Sequence, residues 1–281
     1  MLLLAENYSL NIMGKNIMKN YKWDAKEYEK HSQSQQKWAR ELIEKISLKG
    51  TENVLDLGCG DGKVTAEISK IVSEGSIIGV DNSAGMIQLA TDRHHADIYS
   101  NLSFQEMDAK NLDFDDRFDL IFSNAVLHWV TDQKPVIKGI FKSLKQGGRV
   151  LIQMGGKGNA AGIVDVFSEL TSEKKWNSYF KGFNFPFYFP GTNEYEVLLI
   201  DCGFKLNRIE LIPKKKDHAG IEALKGWIRT TWLPYTERVP EEERERFIDI
   251  VSKKYIERYS ANSKGIINVQ MVRLEVEAVK K

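Results

Sequence analysis

The segment Asn53-Val54-Leu55-Asp56-Leu57-Gly58-Cys59-Gly60-Asp61-Gly62-Lys63 sets an apolar run before glycines at alternate positions, with Asp56 and Asp61 flanking the turn. The run reads as a buried strand. The glycines read as a sharp turn that brings backbone N–H groups against a ligand, and a helix starting near Lys63 puts its positive dipole end behind them. That is a nucleotide-type pocket. A dinucleotide fingerprint spaces its glycines G-x-G-x-x-G, whereas the spacing here is G-x-G-x-G, followed by Lys63. Two carboxylates cradle a pyrophosphate poorly but suit a ligand with a cationic amine. Asp81 ends the next apolar run, Ile77-Ile78-Gly79-Val80-Asp81. An acid there can accept both hydroxyls of a ribose, or else cap the helix that follows Ser83. Met86, one turn into that helix, either lies against an adenine or fills the core.

The elements that must hold these residues come in regular order. Strands are expected at Val54–Leu57, Ile77–Asp81, Leu102–Glu106, Phe118–Ser123 and Arg149–Met154, with helices at Val64–Val72, Ala84–His94 and Pro135–Leu144 between them. Before them, Tyr21–Ile46 has a helical pattern, with Trp38, Leu42, Ile43 and Ile46 at three- and four-residue steps. Lys145-Gln146-Gly147-Gly148 reads as a helix stop. Alternating strands and helices give βαβ units, hence an α/β, doubly wound and mostly parallel sheet. Ligands then sit at the carboxyl ends of the strands. After Met154 the pattern changes. Helices are expected at Ile163–Leu170, Tyr195–Leu199, Ile221–Trp232 and Glu241–Tyr259, and strands at Ile209–Ile212 and Ile266–Ala278. Trp176 to Pro190 is dense in aromatics, and Lys214-Lys215-Lys216 reads as a solvated turn. The expected architecture is a seven-stranded sheet with helical insertions that cap the crevice: residues 1–20 a tail, 21–154 the cofactor-binding core, and 155–278 the completion of the sheet with the cap.

The glycine turn resembles the first motif of class I S-adenosylmethionine (SAM) methyltransferases, whose cofactor carries an ammonium and a sulfonium. The resemblance spans roughly residues 21–278. It implies a Rossmann-like fold, SAM as cofactor, and cofactor contacts from Asp56, Gly58, Cys59, Gly60, Asp81, Asn82 and Met86. It further implies that Asp108 takes the adenine amino group, that the Ala109 N–H takes a ring nitrogen, and that Asn124 and Ala125 border the cofactor. By itself, Asp108 could equally be a turn residue. Ser123-Asn124-Ala125-Val126-Leu127-His128-Trp129-Val130 lacks the Asn/Asp-Pro-Pro-Tyr of amine-directed nucleic-acid methylases. It is similar to the enzymes that esterify carboxylic acids, a group including trans-aconitate, malonyl-carrier-protein and juvenile hormone acid methyltransferases. In that group the Trp129 indole N–H would bind an acceptor carboxylate, although a large aromatic also packs cores.

The same resemblance makes Tyr28 a cofactor contact and Gln35, or Gln36 one position on, the amide that binds the acid. A Gln-rich helix is otherwise simply a solvated face. Leu224 to Tyr235 resembles the trans-aconitate enzymes' cap segment. Their Thr-Gly-Leu is Thr231-Trp232-Leu233 here, so an indole reshapes the acid pocket. Arg229 could pair with an acid or lie in solvent. His128 could serve as a base toward a hydroxyl or amine, but is expected to be structural.

Composition bounds the rest. The chain has 281 residues, 42% apolar and 28% charged, with net charge +1, so it can bury a core and gives no reason to expect a nucleic-acid or anionic-membrane partner. Cys59 and Cys202 fall in different elements, which suits a reducing compartment without disulfides. No apolar run reaches the ~20 residues of a membrane helix, so the expected location is the cytoplasm. Met13 and Met18 leave the start of translation open. The expected function is SAM-dependent O-methylation of a small or carrier-bound carboxylic acid, with no metal. The alternatives are N- or C-methylation of a small metabolite, or a non-catalytic SAM-binding module.

Overall fold

The computed structural model describes residues 33–281. The described chain begins with α1 (Gln33–Ile43) and then alternates: β1 (Asn53–Leu57), α2 (Lys63–Ile71), β2 (Ser76–Asp81), α3 (Ala84–Arg93), β3 (Leu102–Glu106), β4 (Phe118–Asn124), α4 (Gln133–Ser143) and β5 (Leu144–Gly155). Beyond β5 lie α5 (Ala161–Ser172), α6 (Thr192–Asp201), β6 (Phe204–Ala219), α7 (Gly220–Thr231), α8 (Leu233–Thr236), α9 (Glu241–Arg258) and β7 (Ile266–Lys280).

The seven strands form one sheet in the order β3-β2-β1-β4-β5-β7-β6. β1 pairs in parallel with β2 and β4, β2 with β3, and β4 with β5, while β7 runs antiparallel between β5 and β6. The order reverses between β1 and β2 on one side and β4 on the other, and a doubly wound sheet binds ligands at that reversal.

The pleat sorts the strand residues between two layers. Along β1, Val54 joins Ala39, Leu42, Ala66 and Ile68 of α1 and α2. Leu55 and Leu57 join the opposite layer, with Val136, Ile137 and Ile140 of α4 and Tyr195 and Leu199 of α6. A third cluster lies beyond the sheet edge and joins α5, α7, α8 and α9 to the aromatic segment before α6, with Phe167, Trp176, Trp227, Trp232, Tyr235 and Phe247 at its centre. These elements are the cap.

Two expectations are corrected. The Lys214-Lys215-Lys216 run is no turn: it lies inside β6, which spans Phe204–Ala219 rather than Ile209–Ile212. β6 is an edge strand, so Pro213 loses no ladder bond there, and its lysines guard the edge. The period-two pattern holds through the run, with Lys215 exposed and Lys216 only 4% exposed. The glycines after α4 also do more than end it. Strand pairing starts at Leu144 opposite Phe118, and a register shift before Leu120 absorbs Gly147 and Gly148.

β6 and β7 outrun the other strands. The last β5 residue, Gly155, pairs with Arg273, and from there Ile266–Val272 pair only with β6. This two-stranded ribbon is about 20 Å long at the rise of an extended chain. It carries the cap over the carboxyl ends of the strands.

Candidate functional site

The glycine turn is built as its spacing predicts. Gly58, Gly60 and Gly62 take φ of 82°, 53° and 77°, in the left-handed region. The Gly58 and Cys59 N–H groups bond to the Val80 carbonyl at 2.7 and 3.0 Å, which ties the turn to β2. A Cβ on Gly58 would lie 2.3 Å from Val126, whereas one on Gly60 would meet open space. The turn is therefore braced against the β4 exit on one side and open on the other. Cys59 is buried, and burial lifts its thiol well above the ordinary value, which leaves it a small apolar filler.

Asp81 is held from both lips of the crevice. The Gly60 N–H donates to Oδ2 and the Ser83 N–H to Oδ1, each at 3.0 Å. Burial nevertheless raises its pKa. Asp56 points from β1 onto α2, where the Thr65 hydroxyl donates to its Oδ2 at 2.7 Å. Burial pushes Asp56 up to about 7 against the Thr65 bond, and the nearby Asp81 charge adds to the rise. Two carboxylates that resist ionising together want a cation between them. Asp61 does not share that task, because Arg93 and Lys63 hold its carboxylate at 2.9 and 3.1 Å.

Next along the rim, Asn82 is exposed and Met86 is buried one turn into α3, capped by Ser83. Asp108 N-caps a short 3-10 turn, Ala109–Asn111, and accepts the Lys110 N–H at 2.9 Å. The Met107 N–H bonds to the Asp81 carbonyl at 2.9 Å, so the two acids stand on adjacent, directly linked strand ends. Asn124 ends β4. Ala125 takes φ 61°, a strained conformation for a residue with a Cβ, with its N–H on the Gln153 carbonyl at 2.7 Å. The acids that ring the turn and its open side at Gly60 suit a ligand with a cationic amine and a ribose, as SAM has.

Leu127–Trp129 forms a second 3-10 turn over the crevice. Trp129 is half-buried, edge-on to Phe187 at 4.7 Å between centroids, and Phe187 is in turn edge-on to Trp232 at 5.3 Å. Trp232 is 2% exposed, and among the described residues its Nε1 has no hydrogen-bond partner. His128 is buried among Trp129, Phe187 and Phe189. Its Nδ1 takes a long 3.4 Å bond from the Gly155 N–H, and burial, reinforced by the Arg273 charge, lowers its pKa to about 3.

The remaining candidates lie apart. Arg229 makes a two-pronged contact with Glu245 of α9, both bonds 2.7 Å, on the outside of the cap. Gln35 and Gln36 fall in the first turn of α1, and Tyr28 lies outside the described residues. α1 and the turn after it are tied to α2, β6 and β7 by Arg40 on Glu67, by Lys45 on Glu275 at 2.5 Å, by Lys214 on Glu41, and by Trp38 under the Arg273 guanidinium at 4.6 Å. Sequence reasoning missed Thr65, Trp38, Lys216 and Arg273. The signal for Arg273 was present: a lone cation inside the apolar strand Met271-Val272-Arg273-Leu274.

Known proteins bear on this geometry. A family model described as a methyltransferase domain matches residues 48–183. An uncharacterized methyltransferase of Schizosaccharomyces pombe is 30% identical over 197 residues, covering 68% of this chain and 74% of its own. A trans-aconitate 2-methyltransferase of Rhizobium etli is 26% identical over 264 residues, covering 92% and 99%. Among solved structures, phosphoethanolamine N-methyltransferase 2 of Haemonchus contortus, in complex with S-adenosyl-L-methionine, superposes with a TM-score of 0.58 at 19% identity, covering 91% of this chain and 56% of that one. With that fold, that glycine turn and its acids, the chain belongs to the class I SAM-dependent methyltransferases.

Proposed function

We propose that the enzyme methylates a carboxylate oxygen of a small or carrier-bound acid by in-line displacement. The supporting observation is that His128, the imidazole at the β4 exit, is buried among Trp129, Phe187 and Phe189, and burial lowers its pKa to about 3, which leaves it a very weak base. A hydroxyl or ammonium acceptor must lose a proton, whereas a carboxylate with pKa ~4 is already ionised at neutral pH. The relative named for trans-aconitate, an acid, points the same way.

SAM supplies a methyl group already activated by its positive sulfur. The protein's part is orientation and exclusion of water. Asp81 and Asp108 would fix the nucleoside, and Asp56 would face the amine. The Trp129 indole N–H and the amide of Gln35 or Gln36 would orient the acceptor as neutral donors, which hold an oxygen without drawing off its charge as an Arg would. Phe187, Phe189 and Trp232 wall the space against water. We read residues up to 154 as the cofactor half and 155–278 as sheet completion and cap; the expected tail, residues 1–20, and the start of the cofactor half at 21 lie outside the described residues. Among the described residues no helix is long and apolar enough to cross a membrane, and the cysteines are free thiols. Those thiols support a cytoplasmic location.

The test is transfer of radiolabelled methyl from SAM to a panel of acids, followed by mild base. Label released as volatile methanol is the expected outcome and marks a methyl ester. Base-stable label would replace this reading with N-, C- or ether methylation.

A further inference from the structure

The Leu127–Trp129 turn is held by a buried amide from the helix that follows it. Gln133 is the first residue of α4, and its Nε2 donates to the Leu127 carbonyl at 2.7 Å and also to the Val130 carbonyl. Its Oε1 accepts the Tyr195 hydroxyl of α6 at 3.1 Å. Gln133 is 4% exposed and Tyr195 is fully buried. These bonds fix which way the amide faces, with the N–H groups on the turn and the oxygen toward α6. Burial raises the pKa of Tyr195, so its hydroxyl stays a donor.

A single 3-10 turn has little to hold itself, because its own hydrogen bonds are poorly aligned. Here they run from the Trp129 N–H to the Val126 carbonyl at 2.9 Å and from the Val130 N–H to the Leu127 carbonyl at 3.0 Å. Gln133 adds a grip on carbonyls that lie on either side of Trp129. The Tyr188 N–H adds another, on the His128 carbonyl at 2.8 Å. Tyr188 follows Phe187, the ring against which Trp129 packs. The turn is therefore held from α4, from α6 through Tyr195, and from the aromatic segment. An amide buried in this way adds little net stability over an apolar side chain of the same length. What it adds is direction, since it holds two carbonyls in one place.

We propose that Gln133, oriented by Tyr195, is a positioning residue for the methyl acceptor. It sets the pitch of the turn and hence the place of the Trp129 indole over the crevice. This rests on the reading of Trp129 as a donor to the acceptor and deepens it. A displaced indole leaves the cofactor bound and spoils the alignment of the acceptor atom with the methyl group.

The test uses the full chain labelled with 5-fluorotryptophan and saturated with S-adenosylhomocysteine, followed by fluorine NMR. The chain has six tryptophans, and Trp129→Phe assigns the resonance of interest. Gln133→Met keeps the length of the side chain and removes its bonds. The Trp129 resonance should then shift or broaden, while that of Trp176, packed on Phe247, stays in place. Affinity for S-adenosylhomocysteine should be unchanged, and kcat/KM on the best acceptor of the panel should fall about tenfold or more. In the Trp129→Phe background, Gln133→Met should cost little further, because both changes act through one indole. Tyr195→Phe removes one bond of the set and should move the same resonance less; it carries the test if Gln133→Met does not fold. An unmoved Trp129 resonance in a folded variant, or kinetic losses that multiply in the double variant, would overturn the positioning role. The NMR is read without turnover, so a base-stable methyl product would sink the carboxylate reading separately.

Discussion

Asp56→Asn should make the protein more stable and a poorer binder of SAM at the same time. Asp56 is 2% exposed, and its pKa rises from 3.8 to about 7. The sign follows from linkage. An acid with a raised folded-state pKa binds more protons folded than unfolded between the two values, so stability falls as pH rises through that window and levels off above 7. A shift of roughly 3 units at 1.36 kcal/mol each gives about 4 kcal/mol lost across the window. Most of that loss is present by pH 8.

Asparagine keeps the shape, can still accept the Thr65 hydroxyl, and never ionises. The variant should therefore gain about 2–4 kcal/mol over the parent at pH 8 and almost nothing at pH 4. Urea unfolding followed by tryptophan fluorescence, at several values from pH 4.5 to 8.5, measures both slopes. Titration with SAM should show the opposite trend. Parent affinity should rise with pH up to about 7, as ionised Asp56 meets the ammonium, while the variant binds weakly and without that dependence. A variant less stable than the parent at pH 8, with the parent's pH slope intact, would refute the argument, since Asp56 would then be an ordinary ionised carboxylate.

Other consequences can be read more quickly. Asp81→Ala removes the acceptor that Gly60 and Ser83 orient, so SAM affinity should fall by about 100-fold or more, the effect of losing charge-assisted bonds; unchanged calorimetric affinity would contradict the ribose assignment. Gly58→Ala puts a methyl 2.3 Å from Val126 at φ 82°, and should cost about 2 kcal/mol or more in thermal stability. Trp129→Phe keeps the ring on Phe187 but removes the N–H, so kcat/KM on an acid substrate should drop about tenfold with the fold intact; equal kinetics would exclude the donor role. Glu275 is 1% exposed. Burial raises its pKa, but the bonds from Lys45, Arg208 and Gln153 outweigh it and leave the pKa lowered. Its contribution is therefore full above the unfolded value and lost as pH falls through the folded one, and Glu275→Gln should cost about 2–3 kcal/mol at pH 7 and far less at pH 3.

How far the sequence could be read depended on how local the determining contacts are. The glycine turn and the strand ends were legible because each is written within a few residues. Three alternate glycines require a left-handed turn, an acid at the end of an apolar run stands at a strand terminus, and the alternation of strand and helix fixes which ends converge. The left-handed turn around Gly60 and the place of Asp81 at a strand end followed from that logic.

The cap side of the crevice was not legible, because its character comes from partners far apart in the chain. Lys214-Lys215-Lys216 has the composition of a solvated turn, and only its pairing with Val269 and Met271, beyond three intervening helices, turns Lys216 inward. Arg273 is a single cation in an apolar strand until α1 brings Trp38 beneath it from the other end of the chain. His128 could have been a base and was expected to be structural; the reason for its weak basicity, burial under Phe187 and Phe189 and the Arg273 charge, is not local. A glycine turn specifies a cofactor through backbone geometry that a few residues determine. The surroundings of the cap side depend on charge and volume supplied from several elements, which short motifs cannot encode, and in this fold the extended β6–β7 ribbon brings those elements together.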